Sequence, residues 1–201
     1  MNRIARTTAV LAAVLPVLAL ADASTWNIDS SHTRTGFSVK HLVISDVKGE
    51  FQNTTGKVQV DDQDLSKATV DVTIEAKSID TRDAKRDGHL RSADFLDVEK
   101  FPTITFKSTK VEPGADGKLA IQGNLTLHGV TKPVTIHGEL TKPITDPWGN
   151  QRRGFSGSTS INRKDYGVSW SKALDIGPVA GDEVKIDLQA EIVKEKAPGA
   201  K

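Results

Sequence analysis

The chain contains no cysteine, which excludes disulfide cross-links and thiol chemistry and leaves stability to core packing and hydrogen bonds. It has no GxSxG serine, no HxH, HxxxH or CxxC spacing among its five histidines, and no carboxylate pair set out as general acid and base. A nucleophile elbow, a zinc site and acid–base hydrolysis are therefore not written into it, and no catalytic residue, metal or cofactor is predicted. Charge of one sign is lacking too, with 27 Lys+Arg against 26 Asp+Glu. A chain without a net field has no general attraction for nucleic acid or an anionic membrane, although a local basic patch remains compatible with that balance.

Long apolar runs are missing apart from one at the N-terminus. Arg3 and Arg6 precede an almost wholly apolar segment from Thr8 to Leu20, and Ala19-Leu20-Ala21 or Ala21-Asp22-Ala23 offers the small residues read by signal peptidase. The run falls below the roughly 20 residues needed to cross hydrocarbon, so residues 1–23 read as a cleaved signal peptide, and the protein is expected in the periplasm without a transmembrane segment. Cleavage after Ala23 leaves 178 residues of zero net charge, enough for one domain with a sizeable core, over residues 24–193. The polar, aperiodic tail from 194 to 201 is expected to fray.

What is present is alternation. Trp26/Ile28, Phe37/Val39 and Val58/Val60, the last pair beyond a turn at Thr54–Gly56, have the period of two that belongs to strands. Val70, Val72 and Ile74 point to one face while Asp71, Thr73 and Glu75 point to the other. Ile104/Phe106, Leu119/Ile121, Leu125/Leu127 and Val134/Ile136 continue the pattern, with a turn at Pro113–Gly117 and a connection over His128–Pro133. Residues 154–161 and 184–192 supply the last two strands, after a long loop over 142–154. Short connections make the strands antiparallel neighbours in a meander of eight or nine. Periodicity alone leaves a two-sheet sandwich and a closed barrel both open.

The one break in period is the charged block over residues 82–97, which has helical character. Set across an open end, with Asp80 or Thr81 as N-cap and Ser92 starting a second turn, it acts as a lid and favours a barrel with contents. In a helix Arg82, Arg86 and His89 fall at i, i+4 and i+7 and share a face fit for an anionic or carbonyl-bearing head group. The competing arrangement is a structural network in which Asp87 and Asp94 pair with Arg86 and Arg91. Arg163, Lys164 and Asp165 read as a surface turn.

The strings WNIDSSHTRTGFSVKH (26–41), RDGHLRSADFLDVEKFPTITFKST (86–109), GNLTLHGVTKPV (123–134), INRKDYGV (161–168) and GDEVKI (181–186) resemble, in order, those of the YceI-like family. The resemblance implies an all-β fold, an eight-stranded antiparallel lipocalin-like barrel with a short helical insertion near residues 82–97. It further implies a periplasmic binding protein, not an enzyme, that holds a polyisoprenoid or similar amphiphilic lipid in an apolar cavity and often forms a homodimer. This chain departs from the usual first motif at Thr33-Arg34-Thr35, which brings Arg34 into question as a head-group contact.

The expected ligand-binding side chains are Phe37, Val39, Val70, Val72, Ile74, Ile104, Phe106, Leu125, Leu127 and Phe155 along the wall, with His32, Arg86 and His89 at the mouth. The bound ligand is expected to be an isoprenoid lipid such as a polyprenyl phosphate or quinone. The alternatives are an enzyme that modifies such a lipid with His89 and Arg86, and a stress-related scaffold whose wall residues fill a solid core.

Overall fold

The computed structural model describes residues 23–174 and 177–196. β1 (Ser24–His41) turns at residues 42–44 and returns as β2 (Ser45–Phe51) and β3 (Thr54–Val60). Next come β4 (Thr69–Glu75), the short β5 (Ile79–Asp80), the helix α1 (Ala84–Arg91), β6 (Thr103–Pro113), β7 (Lys118–Leu127) and β8 (Val130–Leu140). The short β9 (Ile144–Thr145), β10 (Gln151–Asn162), the pair β11 (Ala173–Leu174) and β12 (Gly177–Pro178), and β13 (Ala180–Lys194) complete the chain.

Every ladder is antiparallel, and sequence neighbours are spatial neighbours in the order β3, β4, β6, β7, β8, β10, β13. β13 pairs back onto β1 from Trp26↔Lys194 to His41↔Ala180, which closes the sheet on itself and removes its edges. β2 and β3 pair with the two halves of β1 and act as one strand broken at Gln52–Asn53, so the barrel has eight strands. The interior obeys the period of two: Leu119, Ile121, Leu125 and Leu127 of β7 are buried while Lys118 and Asn124 lie outside.

The turns differ from expectation in physically readable ways. Thr54–Gly56 is strand, because the chain kinks at Gln52–Asn53 without reversing, and Ser45–Phe51 is a strand that its few apolar residues concealed. A Cβ on Gly56 would meet the Asp71 carbonyl at 2.3 Å, so that glycine serves close strand approach. β7 and β8 are joined by two residues only, His128 and Gly129, both at positive φ (50° and 74°), a tight hairpin turn of the kind that matches strand twist. Pro133 made this stretch look like a loop. It is tolerated in β8 because β10 pairs with β8 only from His137 to Leu140, leaving β7 as the sole neighbour of Pro133.

β10 begins at Gln151, inside the segment expected to be loop. The first tail residues are tied down: Lys194 ends β13, and Glu195 donates its N–H to Thr25 O (2.8 Å) and pairs with Lys57 (2.8 Å). The expected signal peptide and the last tail residues lie outside the described residues. Among the described residues, no helix is long and apolar enough to cross a membrane.

Candidate ligand cavity

The barrel encloses an apolar cavity of about 490 Å³. Phe37 and Val39 of β1, Val70, Val72 and Ile74 of β4, Ile104 and Phe106 of β6, Leu125 and Leu127 of β7 and Phe155 of β10 all line it. Several of these, Phe37, Val39, Val72, Ile74 and Phe155 among them, remain half-exposed although they point to the barrel axis. Val72, Ile74 and Phe155 pack against the buried cluster of Ile104 and Phe106, yet part of their surface stays open to a void that protein interiors ordinarily fill to crystal-like density. The volume falls within the range of small-molecule sites.

The floor is solid. Trp26 is fully buried and packs with Val60 and Ile192, flanked by Leu65 and Leu140. Its indole Nε1 donates to Ser24 Oγ (2.9 Å), and the Arg153 guanidinium lies 5.2 Å above the ring while pairing with Asp62. Arg153 is in phase with Phe155 on β10, so this charge points inward and is held by the indole face.

The mouth is covered by α1. Asp83 caps the helix by accepting from the N–H groups of Lys85 and Arg86 (both 3.0 Å), not Asp80 or Thr81 as expected, and Ser92 ends it by donating to His89 O (2.8 Å). Asp87 is buried and accepts from the N–H and hydroxyl of Thr81 (2.9 and 2.6 Å). Arg86 donates to Thr81 Oγ1 and O (both 2.8 Å), and Arg91 donates to the carbonyls of Lys77 and Ile79 (2.8 and 2.6 Å). The lid is thus strapped to the segment from Lys77 to Thr81 through backbone carbonyls and one threonine, in place of the expected Asp87–Arg pairs. Arg82 precedes the helix at φ 63° and shares no helical face with Arg86 and His89.

Arg86 and His89 line the mouth of the cavity. His89 Nε2 donates to Asp94 (2.8 Å), and its ring stands edge-on to Phe95 (5.0 Å) and Trp170 (5.1 Å), which contact each other at 5.0 Å. Trp170 is held by a residue expected at the surface: Arg163 is 4% exposed and donates to the carbonyls of Val168 (2.7 Å), Trp170 (2.7 Å), Gly181 (2.8 Å) and Ala180 (3.2 Å). Asp182 supplies its counter-charge at 3.3 Å. Phe95 and Trp170 are functional positions that the sequence did not single out, and Arg163, expected in a surface turn, is buried. The signal available was the lone Trp170 after a turn that already carried two cations.

One further expectation, His32, fails at an irregularity of β1. The β1–β13 register breaks between Asp29 and Arg34, which moves the inward set from Trp26 and Ile28 to Thr35, Phe37 and Val39. His32 consequently sits on the outer wall, 57% exposed, with Nδ1 on Asp29 at 3.0 Å, and is not part of the cavity. Arg34, which contributes to the cavity lining, pairs its guanidinium with Glu50 (2.6 Å) and Asp187 (2.9 Å). Asp29, His32 and Glu191 bring ligating atoms within 4.8 Å of one another. The counter-ion there is Arg152, which reaches Asp29 (2.7 Å), Asp146 (2.8 Å) and Glu191 (3.0 Å). Hydrogen bonds from Ser31 and Arg152 hold the Asp29 carboxyl well below the usual carboxylate range, and Arg152 does the same for Asp146.

Between β8 and β10 the wall has a seam. Beyond His137 and Ser158, β8 and β10 no longer pair, and a groove on the outside shares Val134, Thr159 and Ile186 with the cavity.

The family model described as "YceI-like domain" matches residues 26–192. A UPF0312 protein of Vibrio cholerae is 42% identical over 160 residues, covering 79% of this chain and 85% of that protein. The crystal structure of the Campylobacter jejuni YCEI protein aligns with a TM-score of 0.66 at 30% identity, over 79% of this chain and 90% of that one. A polyisoprenoid binding domain from Saccharophagus degradans shares the fold, with a TM-score of 0.65 at 14% identity, over 85% of this chain and 98% of that one.

Proposed function

Because the chain belongs to the YceI-like family, we propose that it is a periplasmic carrier that sequesters an isoprenoid lipid, tail inward, in its barrel. The observation that carries this reading is the shape of the cavity: apolar along its length, floored by Trp26 and lidded by α1. The polyisoprenoid ligand of the Saccharophagus degradans domain, which has the same fold, supports the ligand class. The basic, apolar N-terminal run supports export.

The energetics favour a long apolar chain. Each buried CH₂ contributes about 0.8 kcal/mol, so a five-carbon unit contributes up to about 4 kcal/mol. A few units then offset the roughly 4–15 kcal/mol cost of association. Arg86 and His89 stand where a head group emerges, and a polyprenyl phosphate or quinone head meets donors there.

Native mass spectrometry of protein purified from its own host without delipidation tests the proposal. The expected result is a lipid adduct, uptake of added prenyl lipid by emptied protein, and recovery of that lipid chemically unchanged. Ligand-free protein that takes up nothing overturns the reading, and altered lipid replaces the carrier with an enzyme. Phe106→Arg and Val72→Asp place a charge on the cavity wall and are expected to abolish uptake and lower stability by several kcal/mol. Normal uptake by either folded variant contradicts the assignment of that wall.

A further inference from the structure

The loop between β1 and β2 spends apolar side chains on solvent. Val43 is 56% exposed and Ile44 78%, so neither contributes much to the core. The backbone is strained as well: Leu42 (φ 52°) and Val43 (φ 65°) occupy the left-handed region in succession, which is unfavourable for ordinary residues and worst for a β-branched one. Hairpin turns built for stability place Asn or Gly there. Strain combined with exposed apolar surface marks a segment shaped by something other than folding.

Its position says by what. Val39 and Val47, paired across the strands that lead to the tip, lie on the cavity wall, and only the pairs Lys40/Asp46 and His41/Ser45 separate them from the tip. Leu42 donates its N–H to Val179 O (3.0 Å), which ties the tip to another segment lining the mouth. Behind the tip Lys40 pairs with Asp46 (3.1 Å), which leaves Lys48, without an acidic partner among the described residues, as the cation facing outward there. An apolar tip backed by lysines is the arrangement that seats side chains among acyl chains and ammonium groups among phosphates.

We propose that the Leu42–Ile44 tip is a bilayer-docking element, which enters the headgroup region of a membrane and brings the cavity mouth against it, so that a chain passes between membrane and barrel without crossing water. The inference rests on the carrier reading for its purpose, but docking itself is measurable on the empty protein. Ile144 and Trp148 form a second exposed apolar spot, 64% and 77% exposed, beside the β9–β10 turn at the floor end. They serve as the internal control.

The test compares the mature protein, from Ser24 onward, with its Val43→Ser/Ile44→Ser and Ile144→Ser/Trp148→Ser variants. Flotation with phosphatidylcholine vesicles containing phosphatidylglycerol is expected to carry the parent and the control variant, and to lose the tip variant by tenfold or more. Lys48→Glu is expected to weaken flotation on phosphatidylglycerol vesicles only. Uptake of a pyrene-labelled prenyl chain from vesicles is expected to slow at least tenfold in the tip variant, while uptake of the same chain dispersed from ethanol is unchanged. Val43→Gly separates docking from folding, since it relieves strain: the melting temperature does not fall, yet flotation does. Equal flotation of parent and tip variant overturns the proposal. Failure of every protein to take the chain from either source overturns the carrier reading and leaves the flotation result to decide the tip.

Discussion

The two ends of the barrel are each organised around a buried arginine, and the two arginines do opposite things. At the floor, Arg153 lies over the Trp26 ring, and its Nε has no hydrogen-bond partner. Its guanidinium is accommodated by an aromatic face and one carboxylate, so it completes a plug of interlocked side chains. At the mouth, Arg163 gathers four backbone carbonyls and an aspartate, and so holds a loop in place without filling the lumen. One end is closed by packing, which resists opening because every contact is lost together. The other is closed by hydrogen bonds and a ring cluster at the rim, whose members part singly. On the carrier reading proposed above, that asymmetry makes the rim the end through which a ligand passes.

Removing the plug gives the largest expected effect. Trp26→Ala takes a fully buried ring from between Val60 and Ile192 and is expected to cost about 3–5 kcal/mol, measured by urea unfolding. It also strips Arg153 of its aromatic partner, so emptied protein is expected to bind anilinonaphthalene sulfonate at a newly opened floor. A loss below about 1 kcal/mol shows that the floor is not the rigid end.

Breaking the other side of the comparison calls for Arg163→Met, which keeps most of the apolar stem and deletes the guanidinium. Four carbonyls lose a charged donor, with an expected cost of about 2–3 kcal/mol. Burial already pushes the Arg163 guanidinium below its ordinary value, in keeping with a desolvated cation retained for its bonds. The distinguishing readout is the exchange rate of a bound prenyl chain, which is expected to rise here and to stay unchanged in variants of the outer wall such as Lys107→Ala. A destabilised protein with unaltered exchange places Arg163 in the scaffold alone.

How far these ends were legible in the sequence differs for the same physical reason. Val70, Val72, Ile74, Leu125 and Leu127 announce the wall because alternation is a local property of strands, and a closed barrel preserves it. Trp26 announces a core position but not a plug, since nothing local tells the bottom of a barrel from its middle. Arg153 and Arg163 sit in basic, turn-rich strings and look like surface. Their burial depends on an indole and on carbonyls contributed by strands distant in sequence. His32 was misplaced because a bulge shifts the register of β1 by an amount that the side chains do not encode. Tertiary partners, not propensities, decide all three.

The smallest effect sharpens the comparison through pH. Arg152 gathers Asp29, Asp146 and Glu191 on the outer wall near the floor, and both aspartates are held below the ordinary carboxylate value by hydrogen bonding. In the unfolded chain they titrate near 3.9, so as pH falls below about 5 the unfolded state takes up protons that the folded state refuses, and stability falls with it. The contribution is fully present above that range and is lost as pH drops through the depressed folded values. Solvent screening keeps it modest, so the melting temperature is expected to be flat from pH 7 to 5 and then to fall. Arg152→Gln should lower the plateau by a few degrees and flatten the fall, because the cation responsible for much of the depression is gone. A fall of equal steepness with and without Arg152 assigns the acid response to carboxylates elsewhere, and removes this cluster as a support of the closed end.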